Sequence, residues 1–135
     1  SPYTFPITIR YADLDSHGHV NNAAVLTYLE SARLGFYQAI DIWHPSPGMY
    51  TGMVVAHIDI DYLKPILFTD QVQVLLELTS IGNKSFTLAF SVETVSEHTP
   101  LARGSTVMVV YDNNIDASIP IPGDWRKKLL QFKFN

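Results

Sequence analysis

The densest chemistry in this sequence is a run of short polar side chains: Asp13, Asp15, His17, His19, Asn21 and Asn22. A carboxylate can attack a carbonyl or activate a water molecule. Asn22 or Asn21 reads as the helix N-cap. A group bound here would therefore meet the unpaired N–H groups and positive dipole end of a helix start. Such amides polarise a carbonyl and stabilise an oxyanion. Together these are the minimum parts for acyl transfer to water without serine or cysteine. The competing reading is that Asp, Asn and His before a helix serve only capping and turn formation.

Asp13 is the nearest competitor to Asp15. A strand running through both would turn them the same way, and a close carboxylate pair would raise one pKa and aid base chemistry. The favoured alternative is that Asp13 caps the loop. The Asp-x-Asp-x-His-x-His alternation also supplies oxygen and nitrogen donors for a metal. No separate second ligand cluster stands out, although His57 and Asp59 could approach it in the fold, so no metal and no cofactor is expected. The chain has no cysteine, which excludes disulfides, thiolate nucleophiles and iron–sulfur centres. No P-loop or G-x-G-x-x-G run is present.

The elements that must position this run follow from periodicity. Phe5, Ile7, Ile9 and Tyr11 alternate along a strand expected over residues 3–11. After the polar loop, Val25, Leu29, Ala32, Phe36 and Ile40 recur at helical spacing, and Leu26, Tyr28, Leu34 and Tyr37 fill much of the other side. A helix from Ala23 to about Ile40 that is apolar nearly all round wants burial on nearly all sides, and a strongly curved sheet is the obvious wrapper. A turn follows at 44–48. The period then becomes two: Val54, Ala56, Ile58, Ile60 and Tyr62 share a face opposite Val55, His57, Asp59 and Asp61. Further strands are expected around Val72–Leu78, Phe86–Val92 and Leu101–Tyr111, with a hairpin turn at Ile81–Lys84. Pro120 and Pro122 bound an extended tail before a short terminal helix over 124–131. One helix on one antiparallel sheet gives a two-layer α+β fold.

The length of 135 residues fits about one domain, taken as residues 1–135. Charged residues make up 16%, below the usual ~25%, which suggests extra burial at a subunit interface. The net charge is -4, and the tight basic cluster is confined to Arg126, Lys127 and Lys128. A nucleic-acid partner is therefore not expected. There is no run of 18 apolar residues to span a bilayer and no secretory signal pattern, so a cytoplasmic location is expected.

The run YADLDSHGHVNNAAVLTYLESARLGFY, residues 11–37, resembles the helix-start motif of the hotdog-fold acyl-CoA thioesterases. This is the family of 4-hydroxybenzoyl-CoA thioesterase and the small bacterial long-chain acyl-CoA thioesterases. The likeness continues through residues 58–74, residues 101–112 and the PIPGDWRKKL ending. It implies a hotdog fold: a long central helix wrapped by a curved antiparallel sheet of five or six strands. It implies dimers or tetramers with active sites at the subunit interface, and hydrolysis of acyl-CoA to free acid and CoA, with coenzyme A part of the substrate.

By this resemblance Asp15 is the nucleophile or general base. Gly18 is the loop glycine whose neighbouring amides, with those at the helix start, polarise the carbonyl. His19 and Asn22 join the catalytic group. Asn21 and Asn22 stand where 4-hydroxybenzoyl-CoA hydrolases carry an aromatic pair, which leans the expectation toward aliphatic acyl groups. Substrate binding is expected from His17, Asn21 and Tyr62, from His57 and Asp59 toward the partner subunit's site, and from Lys84 and Arg103 at the CoA phosphates. The Arg126–Lys128 cluster is a further phosphate candidate. Phe36, Phe86 and Phe90 are expected either around an acyl tunnel or in the core. Glu30 and Arg33 match the family's E-x-A-R pattern and are expected to form an ion pair. The alternatives are delivery by acyl carrier protein instead of CoA, or a non-catalytic acyl-thioester-binding hotdog protein; dehydration ranks lower because the loop follows the thioesterase pattern.

Overall fold

The computed structural model describes residues 2–44, 47–48 and 50–134. Pro45 and Ser46 of the expected 44–48 turn lie outside the described residues. The elements are β1 (Tyr3–Ile7), a 3-10 turn (Tyr11–Asp13), α1 (Asn22–Ala39), β2 (Thr51–Tyr62), β3 (Val72–Ile81), β4 (Ser85–Thr94), β5 (Pro100–Asp112), β6 (Ala117–Ser118) and α2 (Gly123–Phe134). The strands form one antiparallel sheet in the order β1-β3-β4-β5-β2, with β6 paired to β5. This is the α+β hotdog arrangement, a central helix against a curved antiparallel sheet.

The first strand is shorter than its alternation predicts. Ile7 pairs with Val72, the first residue of β3. The Gln71 carbonyl before Val72 takes the Val95 amide instead, the ladder ends, and Tyr11–Asp13 winds into a 3-10 turn. The alternating apolar residues of β3, β4 and β5 do close over α1. Val74, Leu76, Leu88, Val92 and Val110 are buried against Val25, Leu29, Ala32 and Phe36. Phe86 and Phe90 belong to this core. The ring of Phe36 meets Phe132 of α2 edge-on at 4.7 Å. Burying such a ring contributes about 3 kcal/mol relative to leaving it in water.

Two expectations about α1 change. The helix is not covered on nearly all sides, because the sheet, β1 and α2 leave Leu26, Thr27, Glu30, Ser31 and Gln38 exposed. Glu30 and Arg33 also form no ion pair among the described residues. Arg33 lies buried while Glu30 points to solvent. An exposed pair at this spacing stabilises a helix by only ~0.2–0.5 kcal/mol, less than an arginine stem gains by covering apolar surface.

The β2 alternation also shifts. A bulge between Val55 and His57 leaves Ala56 without a partner on β5. Val55, Ile58, Ile60 and Tyr62 oppose the inward-facing Met108, Thr106, Gly104 and Ala102. Val54 therefore joins His57, Asp59 and Asp61 on the outer face. β2 is the last strand of the sheet, and Val54, Val55 and Tyr62 are exposed along it. Among the described residues, no helix is long and apolar enough to cross a membrane.

Candidate active site

Residues 14–20 leave the 3-10 turn and return to the start of α1 as a miniature hairpin. Leu14 and Val20 form a bridge, the Asp15 amide donates to the His19 carbonyl at 2.7 Å, and the Gly18 amide donates to the Asp15 carbonyl at 3.1 Å. Gly18 has φ +77°, the left-handed conformation that a three-residue hairpin loop of this kind requires. The Asp15 side chain completes the turn. Its Oδ1 accepts the amides of His17 at 2.8 Å and His19 at 3.1 Å, an Asx-turn that short Asp side chains favour. No protein donor among the described residues reaches its Oδ2. The His19 amide first, and the His17 amide second, hold the Asp15 carboxyl below its ordinary value, because hydrogen bonds to the charged form favour it.

The hairpin is pinned on both sides. The Val20 amide donates to the Ile66 carbonyl at 2.9 Å, and the Asn21 amide donates to the Asp13 carbonyl at 2.9 Å. Asn21 is the N-cap of α1. Its Oδ1 accepts the Ala24 amide at 2.8 Å, and its Nδ2 donates to the same Asp13 carbonyl at 2.9 Å. The amides of Asn22 and Ala23 have no protein acceptor among the described residues, as expected in a helix first turn.

Asp13 and Asp15 point to different surroundings. Asp13 is buried. Its Oδ2 accepts the Tyr28 hydroxyl at 2.6 Å and the Arg10 amide at 3.0 Å, and Arg10 Nη2 donates to its Oδ1 at 3.4 Å. The Tyr28 hydroxyl, followed by the Arg10 amide, lowers the Asp13 pKa. Burial and then the Asp13 acceptor push the Tyr28 hydroxyl up. No strand carries both aspartates to one face, so they form no carboxylate pair.

Asp15 faces a cavity of about 300 Å³ lined by His19, Val20, Asn22, Val25, Tyr62, Leu63, Lys64, Pro65 and Ile66. The structure thus brings Asp15, His19, Asn22 and Tyr62 together at the start of α1. Its floor is aliphatic and its rim is polar, the usual character of a small-molecule site. Gly18 acts through backbone conformation; its own amide is used inside the hairpin, as are those of His17 and His19. Of the helix-start residues, Asn22 lines the cavity, and its amide is unpaired among the described residues.

Other expected residues lie elsewhere in the protomer. Asn21 uses one Nδ2 donor and one Oδ1 acceptor site in the cap and does not line the cavity. The His17 side chain is exposed and does not line the cavity. His57 and Asp59 sit on the outer face of β2, where Ser105 Oγ donates to Asp59 Oδ2 at 2.7 Å. Arg103 is on the same outer face, opposite Asp61. Lys84 is at the far end of the sheet. The Leu63 amide donates to the Leu101 carbonyl near the cavity, while the Val110 amide donates to the Lys84 carbonyl. The β5 stretch between them spans roughly 30 Å at ~3.3 Å per residue. In the terminal basic cluster, Arg126 donates to the Gly82 and Asn83 carbonyls and Lys128 to the Asp41 carbonyl. These side chains tie loops together.

Lys64 and its apolar neighbours Leu63, Pro65 and Ile66 were not apparent as site residues. The one available signal was the Lys64–Pro65 break directly after Tyr62, where the chain leaves the sheet beside the helix start. Among the described residues, no cluster of three or more His, Asp or Glu side chains could hold a metal ion.

The thioesterase-like superfamily matches residues 9–129. The long-chain acyl-CoA thioesterase FadM of Escherichia coli is 28% identical over 125 residues, covering 93% of this chain and 95% of that one. A 1,4-dihydroxy-2-naphthoyl-CoA hydrolase of Synechococcus elongatus is 26% identical over 129 residues, covering 91% and 93%. The structure of a Thermus thermophilus thioesterase, complexed with coenzyme A and Zn, is 30% identical with a TM-score of 0.82, covering 98% of this chain and 94% of that one.

Proposed function

The chain belongs to the thioesterase-like superfamily, and from that premise we propose that it hydrolyses aliphatic acyl-CoA thioesters at the Asp15 cavity. The observation that carries this reading is the presence, around one small cavity, of the Asp15 carboxylate and Asn22, the first residue of the helix. The thioester carbonyl oxygen takes the Asn22 amide, whose dipole stabilises charge as it develops. Asp15 Oδ2 attacks the carbonyl carbon. The C–S bond breaks, and the CoA thiolate leaves with the electron pair and gains a proton from water. The resulting mixed anhydride is opened by a second water, which releases the acid and restores the carboxylate. A general-base route uses the same geometry. Both routes need Asp15 ionised, which the amides at its Oδ1 favour.

The cavity floor of Val20, Val25, Leu63 and Ile66 suits an alkyl chain. FadM and the naphthoyl-CoA hydrolase take aliphatic and aromatic groups by name, and the aliphatic lining here favours the former. The free edge of β2, with exposed Val54, Val55 and Tyr62, invites pairing with another strand. A second copy added there would lie beside Tyr62 and close the open side of the cavity.

A panel of acyl-CoA substrates graded in chain length, with 4-hydroxybenzoyl-CoA and an acyl carrier protein thioester as comparators, read by free-thiol release, tests the reading. Aliphatic acyl-CoA is expected to turn over fastest, and Asp15→Asn is expected to leave only a small residual turnover. Faster release from the carrier protein would move the substrate to that class. A tightly bound acyl-CoA that survives incubation would make the chain a binding protein. One turnover with excess enzyme in ¹⁸O-water places label in Asp15 only by the nucleophilic route, when water opens the anhydride at the Asp15 carbonyl; label confined to the product acid fits the general-base route or opening at the acyl carbonyl.

A further inference from the structure

We propose that Asp13 is a positioning residue for this reaction, acting with Tyr28 to hold the Asp15 hairpin against the start of α1. The inference rests on the reading of Asp15 given above. Asp13 does not line the cavity, yet it is hydrogen-bonded to both the N-cap and the body of α1. Its carbonyl oxygen takes both donors of Asn21, the backbone amide and Nδ2, so the loop opens and closes on the same residue. Its carboxylate takes the Tyr28 hydroxyl from the second turn of α1 and the Arg10 amide from the chain preceding the 3-10 turn. One residue thus joins the incoming chain, the N-cap and the helix body, and the Asp15 turn hangs from it.

Helix capping does not account for a carboxylate here. Helix capping is already supplied by Asn21, and a buried charge loses hydration that its partners must offset. A carboxylate that accepts from two elements at once does fix their relative position, because both donors lose a charged acceptor if either moves. The distance between Asp15 Oδ2 and the Asn22 amide depends on that relation. A shift of about 1 Å in such a geometry costs on the order of 10²-fold in rate.

The experiment uses the full chain and the acyl-CoA that turns over fastest in the panel. Asp13→Asn and Tyr28→Phe are each expected to lower kcat by about 10- to 100-fold with KM changed by no more than about twofold. In an Asp15→Asn background, Asp13→Asn is expected to lower the residual rate by less than about twofold, since a residue that acts through Asp15 has nothing left to position. Tyr28→Phe removes one hydroxyl and keeps the ring, so it carries the test if Asp13→Asn does not fold. Wild-type kcat in a folded Tyr28→Phe or Asp13→Asn protein overturns the proposal and leaves the Asp15 reading standing. An undiminished loss in the Asp15→Asn background also overturns it, marking a general structural lesion. Wild-type turnover by Asp15→Asn alone overturns the Asp15 reading and this proposal with it.

Discussion

Gly18→Ala separates conformational strain from lost contacts at the site. A Cβ added at Gly18 would meet no atom within 4 Å, so the substitution creates no clash and removes no packing. What it introduces is an L side chain at φ +77°, which costs about 1–2 kcal/mol. At ~2.1 cal/mol/K per residue, the 135 residues carry an unfolding entropy of roughly 280 cal/mol/K. The expected fall in melting temperature is therefore about 4–7 °C. The strain falls on the turn that gives Asp15 Oδ1 its amides, and relaxing φ would open the Gly18–Asp15 bond and swing the carboxylate. Thioester hydrolysis is expected to fall about 10-fold or more. Gly18→Asn, which tolerates the left-handed region, should recover most of both losses. Gly48→Ala supplies the control: it has φ +78° and equally open space but lies outside the cavity lining, so it should lower the melting temperature alone. Circular-dichroism melting and free-thiol release read the two effects. Unchanged melting in Gly18→Ala would refute the strain argument. A normal rate in a protein that melts lower would refute the dependence of Asp15 on this turn.

The lowered pKa of Asp15 keeps it ionised through its ordinary value of 3.8, so the acid limb of kcat/KM that it controls should lie below that pH; a limb centred well above it would assign the titration to another group. Asp13 is lowered likewise, so the stability it contributes is fully present above its unfolded value and is lost as pH falls through the lower folded one. Acid unfolding should therefore show the wild type more stable than Asp13→Asn at neutral pH, with the difference vanishing only below 3.8. Phe36→Ala, at a fully buried site where α1 meets β1 and α2, should cost about 3–5 kcal/mol by denaturant unfolding, and a cost under 1 kcal/mol would mean the core collapses around the gap. Val54→Lys puts a charge on the free β2 edge; sedimentation should show a smaller species with reduced turnover, whereas an unchanged mass would place self-association elsewhere.

Local pattern determined much of this protein. The alternation along β3, β4 and β5, the hairpin turn at Ile81–Lys84 and the start of α1 at the Asn pair each follow from neighbours within a few residues, and the structure reproduces them. The Asp-x-Asp run marked where the polar chemistry gathers for the same reason. Tertiary structure decided everything that depends on a distant partner. β1 stops at Ile7, opposite the start of β3 at Val72, a limit no residue of β1 encodes. The bulge at Ala56 moves Val54 to the outer face because the registry with β5 changes there. Arg33 lies buried while Glu30, three residues away, faces solvent, a difference their helical spacing does not carry. The two aspartates, indistinguishable by spacing, separate only once Tyr28 draws Asp13 inward and the Gly18 turn carries Asp15 to the cavity. Lys64 and Tyr62 reach that cavity because β2 ends beside the helix start. Periodicity reports how a residue faces its own element, whereas a site is made where elements meet, and that meeting is set by long-range pairing.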